Sequence, residues 1–95
     1  MTEPSDHQQL HAVVHGRVQG VGFRDFTQRR AAELGVTGWV RNQPDSTVEV
    51  VAEGDKATIE RFLALLWRGP NAARVVRVEY DYHAATGRFS GFSVR

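Results

Sequence analysis

The spacing of apolar side chains changes along the chain, and each change marks an element. Leu10, Ala12 and Val14 alternate with His11, Val13 and His15, the period of two that suits a half-buried strand, entered near Gln8. From Phe23 to Leu34 the spacing turns helical: Phe23, Phe26, Ala31 and Leu34 share a face, and Arg24, Gln28, Arg29 and Glu33 lie outside it. Gly35 is a natural stop for this helix. A second strand is predicted over Val36 to Asn42 and a third over Val48 to Glu53. Gln43-Pro44-Asp45-Ser46 is the turn between them, because Pro presets φ and Asp can bond its own backbone. Asp55 caps a second helix with a buried stripe of Ile59, Phe62, Leu63 and Leu66, and Gly69-Pro70 ends it. Strands over Val75 to Tyr82 and Phe89 to Val94 complete the series.

The order is β-α-β-β-α-β with a short terminal strand. Its economical packing is a ferredoxin-like α+β sandwich: an antiparallel sheet of four to five strands, the first and third central, with two helices on one face. The 95 residues are read as a single domain, 1–95, with residues 1–7 as a disordered polar leader. Twelve basic and eleven acidic residues leave a net charge of +1, so nothing steers the protein towards nucleic acid or membrane. The leader has no apolar core of a signal peptide, and no apolar run reaches the length of a membrane span. Cysteine is absent, which fits a cytoplasmic protein that stands on packing alone. A monomer is the default expectation.

The stretch Gly16-Arg17-Val18-Gln19-Gly20-Val21-Gly22-Phe23-Arg24 carries the candidate chemistry. Its glycines let backbone N–H groups converge on a ligand, and the helix that starts at Phe23 turns its positive end to the same point. Arg24 adds a guanidinium fork able to grip two oxygens of one phosphate. Two nucleotide motifs fail on spacing: no Gly-Lys-Ser/Thr follows, and Asp25 stands where a dinucleotide loop needs glycine. A compact single-phosphate cradle remains, although strand, glycine-rich turn and helix also occur in folds with no ligand. His7, His11 and His15 do not make a metal site, because neighbours four apart on a strand stand roughly 13 Å apart. His15 and Asp25 read as surface residues, Trp39 and Trp67 as packing residues, and Arg41 as a solvated charge at the rim. Asn42, taken alone, reads as a strand end that bonds its own backbone.

The same nine residues resemble the acylphosphatase signature G-x-V-Q-G-V-x-F-R. Gly38-Trp39-Val40-Arg41-Asn42, followed by Val48 and Gly54, is similar to that family's second motif. One departure stands at Ser46, where the family usually has glycine. The resemblance implies hydrolysis of an acyl phosphate to a carboxylate and inorganic phosphate, the latter also a competitive inhibitor, with no metal or cofactor. It implies that Arg24 and the loop amides of Arg17, Val18, Gln19, Gly20, Val21 and Gly22 bind the phosphoryl group. It assigns the attacking water to Asn42.

Two other classes of function compete. Gly87-Arg88-Phe89-Ser90-Gly91-Phe92 faintly echoes the aromatic motif of RNA-recognition domains. That motif belongs on the central third strand, however, and Val48 to Glu53 has no aromatic. The other is a noncatalytic phosphate-sensing or regulatory domain, against which the presence of both Arg24 and Asn42 argues.

Overall fold

The structure, a computed structural model, describes residues 6–95. The elements are β1 (His7–Arg17), α1 (Phe23–Leu34), β2 (Thr37–Asn42), β3 (Val48–Asp55), α2 (Lys56–Arg68), β4 (Arg74–Ala84) and β5 (Phe92–Val94). Residues 1–5 of the expected leader lie outside the described residues, and His7 already opens β1 opposite Asp55.

The strands form one sheet in the order β4-β1-β3-β2-β5, with β1 and β3 inside as the order of elements implied. Leu10, Ala12 and Val14 of β1 and Val48, Val50 and Ala52 of β3 point to one face, where α1 and α2 bury Phe23, Ala31, Ile59, Phe62 and Leu66 against them. Each helix ends where its sequence says it must. Asp55 Oδ1 accepts from the Thr58 amide at 2.8 Å to start α2. Gly35, at φ 72°, closes α1 with its amide directed at the carbonyls of Ala31 and Ala32. Trp67 is a correction: it is 46 % exposed, because the buried stripe of α2 runs through Ile59, Phe62, Leu63 and Leu66 and leaves position 67 turned away. Trp39 lies half-buried on the helix-free face beneath the guanidinium groups of Arg41 and Arg95, at 5.3 and 4.7 Å from its ring.

The sheet is mixed and not wholly antiparallel. β5 is shorter than the pattern over Phe89 to Val94 suggested, and it runs parallel to β2, with Gly38 opposite Phe92 and Val40 opposite Val94. The cause is the route of the chain. β4 ends at one edge beside the start of β1, and residues 85–91 cross that end of the sheet to reach the other edge. A strand entered from there must run in the direction of β1 and β2. As a result β1, β2 and β5 all finish at the same end of the molecule.

Glu53 pins the crossing segment. Only 4 % exposed, its carboxylate accepts from Gln9 Nε2 at 2.8 Å, Thr86 N at 2.9 Å, Thr86 Oγ1 at 2.8 Å and Gly87 N at 2.9 Å. Burial pushes this carboxyl up, but the bonds from Thr86, Gln9 and Gly87 outweigh it and hold the group below its ordinary value of 4.5. A carboxyl depressed in the native state stabilises it fully above the unfolded pKa and loses that effect as pH falls through the folded one. Glu53→Ala should therefore cost about 3 kcal/mol at neutral pH, since four donors lose their acceptor. Urea unfolding of Glu53→Gln should show a smaller loss of stability between pH 6 and pH 3.5 than the unaltered chain shows. An equal loss would remove Glu53 from the acid limb.

Candidate active site

β1 leaves the sheet through an irregularity between His15 and Gly16. Gly16 has φ 129°, and a Cβ there would lie 2.1 Å from the Arg74 carbonyl oxygen, so only glycine lets the strand pass so close to β4. Arg17 is the last residue of β1, opposite Arg74. The loop then brings Val18, fully buried, and Gly20 and Gly22, both with positive φ, to the start of α1. Gly22 is the N-cap of α1 and supplies no side chain to its first amides, in contrast to Asp55 on α2. The positive end of α1 thus has no side-chain cap.

A cavity of about 420 Å³ opens at this point, lined by Val18, Gly20, Gly22, Phe23, Arg24, Asp25, Gln28, Asn42 and Val94. It brings together the end of β1, the first turn of α1, the last residue of β2 and the end of β5. Arg24 is aimed by its own contact: Nη1 donates to the carbonyl of Arg95 at 3.1 Å, and the Arg95 amide donates to Val40 O at 2.8 Å. Asp25 is exposed at the cavity wall, and Arg29 Nε bonds its carboxylate at 3.0 Å, which offsets its repulsion of an anion. Asn42 sits half-buried, opposite Val48. Closure of the turn after it falls to Asp45, whose Oδ1 accepts from the Thr47 amide at 3.1 Å and from the Thr47 hydroxyl. The bonds from Thr47 hold the Asp45 carboxyl below its ordinary value.

Of the loop residues expected to bind phosphate, Val18, Gly20 and Gly22 line the cavity. Val21 packs against the core, and the Gln19 side chain turns away to the β2–β3 turn. His15 lies outside the cavity lining, with Nε2 2.6 Å from Glu79 Oε1. That bond, reinforced by the charge of Arg77, holds the Glu79 carboxyl low. Arg41, expected at the rim, is outside the cavity lining: its Nε donates to Glu49 at 2.6 Å and its guanidinium lies over Trp39. Among the described residues no three His, Asp or Glu side chains are grouped to hold a metal ion, and no helix is long and apolar enough to cross a membrane.

Four lining residues lay outside the expected site: Phe23, read as core, Asp25, read as surface, and Gln28 and Val94. Gln28 stands one turn after Arg24 on the polar face of α1, a signal that was available, and its Nε2 donates to Phe92 O at 3.1 Å. Val94 gave none, because its place depends on the parallel pairing of β5.

Gly20 gives a direct test of the cradle. Its φ is 73°, and a Cβ there would meet no protein atom within 4 Å, so a larger side chain costs backbone strain and enters the space an anion would fill. Gly20→Val should weaken inhibition by inorganic phosphate at least about tenfold, some 1.4 kcal/mol, with the fold retained by circular dichroism. Unchanged inhibition in the folded variant would dispose of the cradle.

Fold and cavity define a small α+β sandwich with a cavity at the end where β1, β2 and β5 finish. A sequence model of the acylphosphatase family matches residues 10–94. The acylphosphatase of Pelotomaculum thermopropionicum is 50 % identical over 84 residues, which cover 88 % of this chain and 91 % of that one. Solved acylphosphatases from Bacillus subtilis and Coxiella burnetii each superpose with a TM-score of 0.90, at 33 % and 35 % identity. These matches cover 93 % and 99 % of this chain and 98 % and 100 % of theirs. The chain belongs to the acylphosphatase family of enzymes.

Proposed function

We propose that this protein hydrolyses the carboxyl–phosphate bond of acyl phosphates without a metal ion. Arg24 and the amides of the loop 17–22 bind the phosphoryl group, and Asn42 holds the attacking water. The observation that carries the proposal is the convergence of Arg24, Asn42, Gly20 and Gly22 on one cavity with the uncapped end of α1.

The chemistry suits so sparse a site. Water attacks phosphorus, the bond from phosphorus to the acyl oxygen breaks, and the carboxylate leaves with the electron pair. Its conjugate acid has a pKa of about 4, so it departs without a general acid. The proton of the water passes to a phosphoryl oxygen of the substrate. What the protein must supply is position and positive charge, the main terms in phosphoryl transfer. With a monomer taken as the active unit, the proposed site is the cavity at the end of β1, β2 and β5. It is open beyond the cradle, so several acyl groups should be accepted.

The test measures release of phosphate from benzoyl phosphate and from p-nitrophenyl phosphate, each with and without a chelator. Hydrolysis of the first alone, unaffected by the chelator and inhibited by inorganic phosphate, is expected. Binding of phosphate with no turnover of either compound would make the chain a phosphate sensor.

A further inference from the structure

We propose that Gln19 is a positioning residue that fixes the distance between the phosphate cradle and Asn42, an inference that rests on the function proposed above. The side chain leaves the middle of the loop, between the cavity-lining Val18 and Gly20, and crosses to the turn after β2. Its Nε2 donates to Gln43 O at 2.8 Å and to Thr47 O at 2.9 Å. Both partners are carbonyl oxygens, which only accept, so the amide nitrogen must face them and both of its hydrogens are used.

The turn that receives these bonds is itself closed. Gln43 N donates to Thr47 O at 2.9 Å, Ser46 N donates to Gln43 O at 3.1 Å, and Asp45 holds Thr47. Ser46 has φ 76°, and no other described residue besides glycine lies in that region. It therefore takes a left-handed backbone of the kind that favours glycine, at the position where the family's second motif usually has glycine. The two carbonyls that accept from Gln19 flank this turn, and Gln43 directly follows Asn42. Gln19 thus joins the loop that would hold the phosphoryl group to the turn that would hold the water, two segments far apart in sequence. Neither bond touches the cradle atoms themselves.

The consequence is specific. Loss of the Gln19 link leaves Gly20, Gly22 and Arg24 as an anion site but frees the Asn42 segment to shift against it, and displacement of a reacting group by about 1 Å costs on the order of 100-fold. Gln19→Met, of similar length with no donor, should lower kcat on benzoyl phosphate by about 10- to 100-fold while inhibition by inorganic phosphate changes less than about threefold. Gln19→Asn keeps the amide but withdraws it by one methylene, and should fall between; it replaces Gln19→Met in the same measurements if the latter does not fold.

The deciding measurement is a double-mutant cycle with Asn42→Ala. Acting through Asn42, the Gln19 substitution should have no further effect on kcat in the Asn42→Ala chain. Additive losses, or a loss of phosphate affinity equal to the loss in kcat, would show that Gln19 supports the loop and does not position Asn42. If the unaltered chain fails to hydrolyse benzoyl phosphate, or if Asn42→Ala is as fast as the unaltered chain, the proposed function is at fault and this inference falls with it. If Asn42→Ala is slow but Gln19→Met is not, only the positioning role is refuted.

Discussion

Arg24→Ala is expected to lose turnover of acyl phosphates and inhibition by inorganic phosphate together. The guanidinium stands in the cavity wall at the uncapped end of α1, and its recorded bond is to a single backbone carbonyl, that of Arg95 at 3.1 Å. Its fork is therefore available to an anion. A permanent charge on the phosphoryl oxygens acts in the bound state as well as in the transition state, so both affinity and rate should suffer. Arginines that clamp a transferring phosphoryl group are worth about 10³-fold or more, and a loss of that size in kcat/KM is expected. Arg24→Lys should recover part of the affinity and little of the rate, because an ammonium ion cannot match two oxygens in one plane. The fold should tolerate both changes, since Phe23 and Phe26, which anchor the first turn of α1, are untouched. A folded Arg24→Ala chain with normal phosphate inhibition would place the anion elsewhere.

Asn42→Ala should separate what Arg24→Ala loses together. An amide that orients only the attacking water contributes to the transition state and little to the binding of phosphate. A donor of this kind is worth roughly 3 to 4 kcal/mol, a factor of about 100 to 1,000 in kcat. The backbone of β2 should not suffer, because its pairing with β3 continues to Asn42 opposite Val48 and Asp45 closes the turn without help from residue 42. Turnover and phosphate titration for each variant give the comparison. Near-normal turnover in Asn42→Ala, or loss of phosphate binding as complete as in Arg24→Ala, would overturn the division of labour between the two residues.

What could be read before the fold was known follows a physical line. α1 was legible to its bounds, because its apolar period begins at Phe23, ends at Leu34 and meets a glycine at once. α2 was legible from Asp55 and its four-residue stripe. In both cases the local chain determines the element. β5 was not, since three residues at a sheet edge have no period, and their direction is set by where β4 ends and by the hold of Glu53 on Thr86 and Gly87. The site divides in the same way. Arg24 stood out from its glycine-rich loop and helix start, and Asn42 only from the resemblance to the family's second motif, whereas Val94 and the reach of Gln19 to the Gln43 and Thr47 carbonyls exist only after distant segments have met. The Ser46 departure, visible in the sequence, is resolved in the structure by a backbone that serine accepts at φ 76°.

The central place of β1 sets the order in which this molecule can assemble. Gln8 lies beside Gly54 on one side and Ala84 on the other, so the first strand to leave the ribosome waits for both partners until most of the chain has followed. Sheets closed by such distant pairs fold slowly, because loop entropy is lost before the contacts offset it. The contacts of α1 with its own turns are local and do not wait for these pairings, but the loop in front of it gains its opposite wall only from β2 and β5. The cavity is complete only with β5 beside β2, which brings Val94 and the carbonyl that aims Arg24 into place.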